Sequence, residues 1–301
     1  MSRLTAVLLA ASAATPLIAQ DMVPATLDGH ATLPAVSLSA VPADAPREAR
    51  VSGKFTAGAP PIRTPMSIET NGVMRPFPGQ PLQGFSGYAQ ERGADGSLIA
   101  LIDNGYGSKT NSSDALLGFT RILPDFQTGS IEVLDRIWLR DPGMHVPFRI
   151  THEATDARYL TGADFDPEGI QVLGDTVWIG DEFGPYLVAA TREGVVTGVY
   201  PTVLNGEEIR SPDHPTLRIP AERGTDWNLP RSGGYEGLAL TPDHSMIWAM
   251  LEKPLLAENG DSEGGFLRVL GFDPMTREWT GDSFKFALTE GAVAIGDFNF
   301  I

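Results

Sequence analysis

The carboxylates of this chain recur at related positions. Glu168 and Glu236 each stand just before a glycine that opens an apolar run. Asp103, Asp181, Glu182 and Glu252 stand where the following run ends. Asp166 precedes Glu168 by two residues in Asp164-Phe165-Asp166-Pro167-Glu168-Gly169. An acid beside glycine is commonly an ordinary solvated turn residue, but recurrence at one place in a repeat favours a shared task. Carboxylates that converge without a cation repel and raise one another's pKa values. Oxygen ligands gathered in this way suit calcium, which accepts about six to eight of them in flexible geometry. We therefore expect a calcium site drawn from Asp103, Glu168, Asp181, Glu236 and Glu252. Glu182 is then a spare carboxylate able to take a proton from water, and Arg149 a clamp for an anionic substrate group.

These acids are carried by short apolar runs bounded by Gly, Pro, Asn or Asp. Examples are Ser97-Leu98-Ile99-Ala100-Leu101-Ile102, Thr176-Val177-Trp178-Ile179 and Ser245-Met246-Ile247-Trp248-Ala249-Met250. Each has strand length, and no segment keeps a three-four apolar spacing for a dozen residues. Asp114-Ala115-Leu116-Leu117-Gly118-Phe119 reads equally as a helical turn or a strand. With 33 glycines and 24 prolines, the punctuation suits strands joined by turns. Three segments share one layout: a Ser/Glu-Gly pair, a strand, an Asp-containing turn, a second strand and an acid. The glycines of the pairs are Gly87, Gly169 and Gly237, spaced by 82 and 68 residues. Such spacing predicts one blade with insertions, or two ordinary blades, per repeat. The expected fold is all-β and β-propeller-like. The final run, Ala292 to Ile301, reads as the start of another strand, so the propeller is expected to be incomplete at its C-terminus.

Several chemistries are excluded or disfavoured. The absence of cysteine removes disulfides, thiolate zinc sites and thiol nucleophiles. No Gly-x-Ser-x-Gly elbow, phosphate-binding Gly-x-x-x-x-Gly-Lys-Ser/Thr loop or dinucleotide fingerprint occurs. Asp164, Asp166, Glu168, Gly169 and Asp175 partly imitate an EF-hand loop. That loop wants a bidentate Glu at its last position and flanking helices, whereas this segment runs into a strand. The histidines show no helical zinc spacing, and His152 beside Glu153 reads first as a polar loop residue. A net charge of −16 disfavours nucleic acid and anionic membranes as partners.

Met1-Ser2-Arg3, the apolar stretch Leu4–Ala14 and the small residues up to Ala19 have the layout of a secretory signal peptide. The apolar stretch falls short of the ~20 residues needed to span a bilayer. Residues 1–19 are thus read as a leader, 20–50 as a linker or lead-in strand, and 51–301 as the propeller domain. The mature chain is expected to lack a transmembrane segment and to be periplasmic or extracellular.

Tyr159-Leu160-Thr161-Gly162-Ala163-Asp164-Phe165-Asp166-Pro167-Glu168-Gly169, followed by Gly180-Asp181-Glu182-Phe183-Gly184-Pro185-Tyr186, resembles the phytase-like domain family described by "esterase-like activity of phytase". Gly84-Phe85-Ser86-Gly87, Asp103-Asn104-Gly105-Tyr106-Gly107, Tyr235-Glu236-Gly237-Leu238 and Leu251-Glu252-Lys253-Pro254-Leu255 agree in order and spacing. The resemblance implies an exported propeller whose acids serve phosphoester hydrolysis. It carries over to Asp103, Asp166, Glu168, Asp181, Glu182, Glu236 and Glu252, and less securely to Asp297. The expected activity is calcium-dependent hydrolysis of a small phosphoester. A calcium-stabilised, non-enzymatic binding propeller and a metal-dependent lactonase or esterase are the alternatives.

Overall fold

Apolar runs of five to ten residues cut by Gly- and Asp-bearing turns leave the chain little choice but antiparallel strands. In the computed structural model, residues 26–34, 36–56, 75–82, 84–217, 221–223, 226–257, 259–292 and 295–300 are described. The proposed leader lies outside them. The described residues form three four-stranded antiparallel meanders and two short two-stranded pairs, with a single 3-10 turn at Arg47–Arg50. Sheet 1 takes Phe85–Arg92, Leu98–Ile102, Gly118–Asp125 and Ser130–Trp138 in that order. Sheet 2 takes Pro167–Leu173, Thr176–Asp181, Tyr186–Thr191 and Val196–Pro201. Sheet 3 takes Tyr235–Leu240, Ile247–Leu251, Phe266–Asp273 and Glu278–Ala287. Each repeat seen in the sequence is therefore one blade, and the long spacings come from the connections between blades.

The fold is all-β and propeller-like. The first strand of sheet 2 packs against the first strands of both its neighbours. No sheet closes on itself among the described residues. The inner strands of sheet 2 are buried on both faces, which explains why apolar residues run consecutively in Val177–Ile179 and Tyr186–Ala190. Val177, Ile179, Val188 and Ala190 face a core shared with Leu101, Leu117 and Phe119. Their neighbours Trp178, Leu187 and Ala189 face a second core with Tyr235, Leu238, Leu251 and Phe272. This is the two-residue alternation of a strand expressed on two interfaces. Each of the larger aliphatic side chains among them contributes ~1.5–3 kcal/mol on burial.

Ahead of sheet 1, Leu38–Ser39 pairs with Gln80–Pro81, and Thr32 bridges Ser130. Gln80 is buried, and its amide donates to the carbonyls of Ala49 and Asp114. The ambiguous Asp114–Leu117 segment is neither a helix nor part of the strand that starts at Gly118.

Candidate metal centre

All three sheets break register at the same place. Phe85 pairs with Ile102 but Gly87 with Leu101. Pro167 pairs with Asp181 but Gly169 with Gly180, and Tyr235 pairs with Leu251 but Gly237 with Met250. Ser86, Glu168 and Glu236 are thus the extra residues of three equivalent β-bulges, devices that re-aim a side chain without ending a strand. Beyond each second strand one amide closes back in the same way. Asp103 N donates to Gly84 O at 3.0 Å, Glu182 N to Asp166 O at 2.9 Å, and Glu252 N to Gly234 O at 2.8 Å. Asp103, Glu182 and Glu252 are therefore equivalent, and Asp166 stands where the other blades have glycine.

The bulge glycines let the blades approach. A Cβ on Gly87 would lie 2.8 Å from Glu168 O, and one on Gly169 would lie 2.8 Å from Leu238 N. A Cβ on Gly237 would meet Phe298 at 2.6 Å, which places Asp297-Phe298 next in the series.

Six carboxylates converge as two triads. Ligand oxygens of Asp103, Asp166 and Glu168 lie within 4.8 Å of one another, as do those of Glu182, Glu236 and Glu252. Asp166 joins the triads, its carboxyl interacting electrostatically with both Asp103 and Glu182. It is 4% exposed, and its Oδ1 is buried with no hydrogen-bond partner. Burial pushes the Asp166 carboxyl far above the usual range, and repulsion from Glu168, Asp103 and Glu182 adds to it. Burial likewise raises Glu168, with Asp103 and Glu236 adding to the rise and a Ser86 hydrogen bond opposing it. Glu182 is raised by burial and by Glu252. Glu236 is pushed up to about 7 by burial and by Glu252, Asp103 and, least, Asp297. The pattern is that of carboxylates assembled with too little positive charge. Among the described residues no lysine or arginine pairs with Asp103, Asp166 or Glu168. Among the described residues only Lys253 forms an ion pair with the other triad, 3.1 Å from Glu252.

Residues 80–301 match the phytase-like family, described as "esterase-like activity of phytase". The chain belongs to this family. An "uncharacterized secreted protein" of Arthroderma benhamiae is 30% identical over 107 residues, covering 32% of this chain and 21% of that protein. The chain thus spans about a fifth of the curated relative it matches. Among solved structures, the Dos1 propeller is 12% identical with a TM-score of 0.32, covering 66% of this chain and 36% of that one. A putative 6-phosphogluconolactonase from Bacteroides uniformis is 12% identical with a TM-score of 0.30, covering 74% of this chain and 46% of that one.

The family match spans every acid singled out in the sequence, and the structure sorts them. Asp103, Asp166, Glu168, Glu182, Glu236 and Glu252 come together. Asp181 stands apart, at the core-facing place that Ile102 and Leu251 take in the other blades. Its carboxylate accepts from Asp166 N at 2.8 Å and Gly184 N at 2.7 Å, holding the turn that presents Glu182. Burial raises it to about 6 despite those bonds and the nearby Lys109. Arg149 is exposed, and its charge acts on Glu153 rather than on the triads. Two contributors were missed in the sequence. Ser86 occupies the bulge position of Glu168 and Glu236, a signal already visible in the repeat. Lys253 is placed by carbonyls distant in sequence, and nothing in the local pattern points to it.

Proposed function

We propose that this protein is a calcium-dependent phosphoester hydrolase acting at the paired triads. The observation that carries this reading is Asp166, whose Oδ1 is buried and unpartnered at the junction of six carboxylates from three blades. A hard cation fits the site, because every donor is a carboxylate oxygen, with no nitrogen or sulfur among them. Asp103, Asp166 and Glu168 would hold the ion, the oxygens of these three lacking any basic partner among the described residues. Bound calcium supplies positive charge for phosphate oxygens and makes a neighbouring water more acidic.

The residues of the chain supply the rest. Glu182 is 6% exposed, and its raised affinity for a proton suits it to accept one from the attacking water near neutral pH. The Asp181 carboxylate fixes the turn that carries Glu182. With a formal charge of −16, the chain as a whole repels phosphate, so productive approach is confined to the place where a cation reverses the local sign. Export accords with this acidic oxygen-ligand site, with the secreted relative, and with the lack of any helix long and apolar enough to cross a membrane among the described residues.

The test is turnover of phosphate monoesters and diesters with calcium and with EDTA, beside a lactone panel. Glu168→Gln should abolish calcium-dependent phosphoester turnover. Turnover indifferent to EDTA and to this substitution overturns the reading. Hydrolysis of lactones alone assigns the site to an esterase, and calcium binding with no turnover assigns it to a binding propeller.

A further inference from the structure

The two triads are built alike but are not equally free. Lys253 follows Glu252, and its Nζ lies 3.1 Å from Glu252 Oε2. The same ammonium donates to the carbonyl of Arg231 at 3.1 Å and to that of Ser232. An ammonium has three N–H donors and no acceptor. Two of them are committed to main-chain carbonyls, and the group stands beside Glu252 Oε2 as an ion pair without donating a hydrogen bond to it. The stem is also packed, since a Cβ on Gly233 would sit 3.0 Å from Lys253 Cβ. Electrostatically the charge acts on Glu182 and Glu236 as well as on its ion-pair partner. Lys253 is therefore a fixed positive charge on the Glu182/Glu236/Glu252 triad. Each triad keeps one buried carboxylate oxygen without a hydrogen-bond partner, Glu252 Oε2 in this one and Asp166 Oδ1 in the other, but among the described residues only Glu252 Oε2 stands beside an ammonium.

We infer that Lys253 is a built-in counter-cation that keeps the second triad free of metal, so that one ion binds per chain, at Asp103, Asp166 and Glu168. The inference rests on the metal reading above and adds its stoichiometry and the role of a positioning residue. Loss of the ammonium would leave three carboxylates with no positive partner, the condition that favours a divalent cation. Glu182, Glu236 and Glu252 would then be free to hold a second ion.

Calcium titration calorimetry on the full chain, with a melt in EDTA as the folding control, tests this. The wild type should bind one ion, Lys253→Met two, and Lys253→Arg one. Turnover should fall in Lys253→Met and recover in Lys253→Arg. Two ions in the wild type, or one in Lys253→Met, overturns the counter-cation role while leaving the metal reading intact. No binding in the wild type overturns both. Should Lys253→Met fail its folding control, Lys253→Gln takes its place with the same expectation.

Discussion

Replacement of Gly87 by alanine tests whether blade contact sets the cation site. Gly87 is buried and has no positive φ, so alanine meets no backbone strain there. Its new Cβ would stand 2.8 Å from the carbonyl oxygen of Glu168. Ordinary carbon contacts lie near ~3.5 Å, so sheets 1 and 2 must part by roughly half an ångström at this point. Overpacking of this kind costs ~1–3 kcal/mol, offset in part by ~0.4–1 kcal/mol from the stiffer unfolded chain. With roughly 2–4 °C per kcal/mol for a chain near this size, the melting temperature should drop by about 3–6 °C. The same displacement separates Asp103 on sheet 1 from Asp166 and Glu168 on sheet 2, and calcium affinity should fall by about tenfold or more, as for other losses of ligand support. Gly169→Ala is the matched comparison. Its Cβ would meet Leu238 N at 2.8 Å and Gly237 C at 3.0 Å, parting sheets 2 and 3 instead. It should cost similar stability and leave calcium affinity nearly unchanged. Gly265→Ala, with nothing within 4 Å of its Cβ, is the neutral control. Calorimetric melts in EDTA and calcium titrations read both quantities. Gly87→Ala indistinguishable from the Gly265 control in both refutes the close-approach argument.

Glu182→Gln should keep one calcium per chain while turnover falls by about a hundredfold or more, the usual range for loss of a general base, as read by titration and initial rates. Asp181→Asn puts an amide where two main-chain N–H groups need acceptors, and should cost ~1–3 kcal/mol in denaturant melts with the ion stoichiometry unchanged. Arg149→Ala should leave calcium binding and turnover at wild-type values, because that side chain is exposed beside Glu153. In EDTA, stability should fall as pH rises from about 4 to 7. Asp181, raised to about 6, and Glu236, raised to about 7, hold protons in the folded state that the unfolded chain has released. Their stabilising contribution is complete below the unfolded values and is lost as pH passes the folded ones. For the fully buried Asp181 alone this amounts to ~3 kcal/mol. Melts across that range should show calcium offsetting the loss at the upper end; a cation-free protein that gains stability over the same range contradicts the clustering.

The repeat was legible because function and fold impose the same spacing on it. Glu168 and Glu236 could be picked out since a glycine must follow each for the blades to touch, and the two residues travel together. The acids at the ends of the second strands were legible as a class, but not individually. Asp181 and Glu182 are adjacent carboxylates after one apolar run, and side chains alternate faces along a strand, so a one-residue slip exchanges their roles. Only the pairing of Pro167 with Asp181 and the amide bond from Glu182 to Asp166 O decide which of them faces the triads. Arg149 and Lys253 show the other limit. Both are basic residues close in sequence to an acid. One reaches only exposed solvent and Glu153, while the other is tied to the carbonyls of Arg231 and Ser232 from a separate connection.

The bulge explains why a core strand and a site strand can share the same residues. In a regular strand the residue facing the triads would displace an inward-facing neighbour by one step, and the apolar alternation behind it would turn to the wrong face. The extra residue at Ser86, Glu168 and Glu236 absorbs that step. Ile170 and Leu238 therefore stay in the two cores while the carboxylate two residues earlier joins its triad. Sheet 1 carries the bulge with serine in place of glutamate, so the device is retained where the charge is not. It follows that the bulge serves blade geometry first, and that its use for carboxylates is an addition that each blade makes or omits separately. Ser86→Glu should accordingly fold without register change and bring one more carboxylate to Glu168, raising calcium affinity or, if the added repulsion prevails, lowering the melting temperature in EDTA alone. A fall in melting temperature that calcium fails to reverse would show that the Ser86 bulge does not face the site.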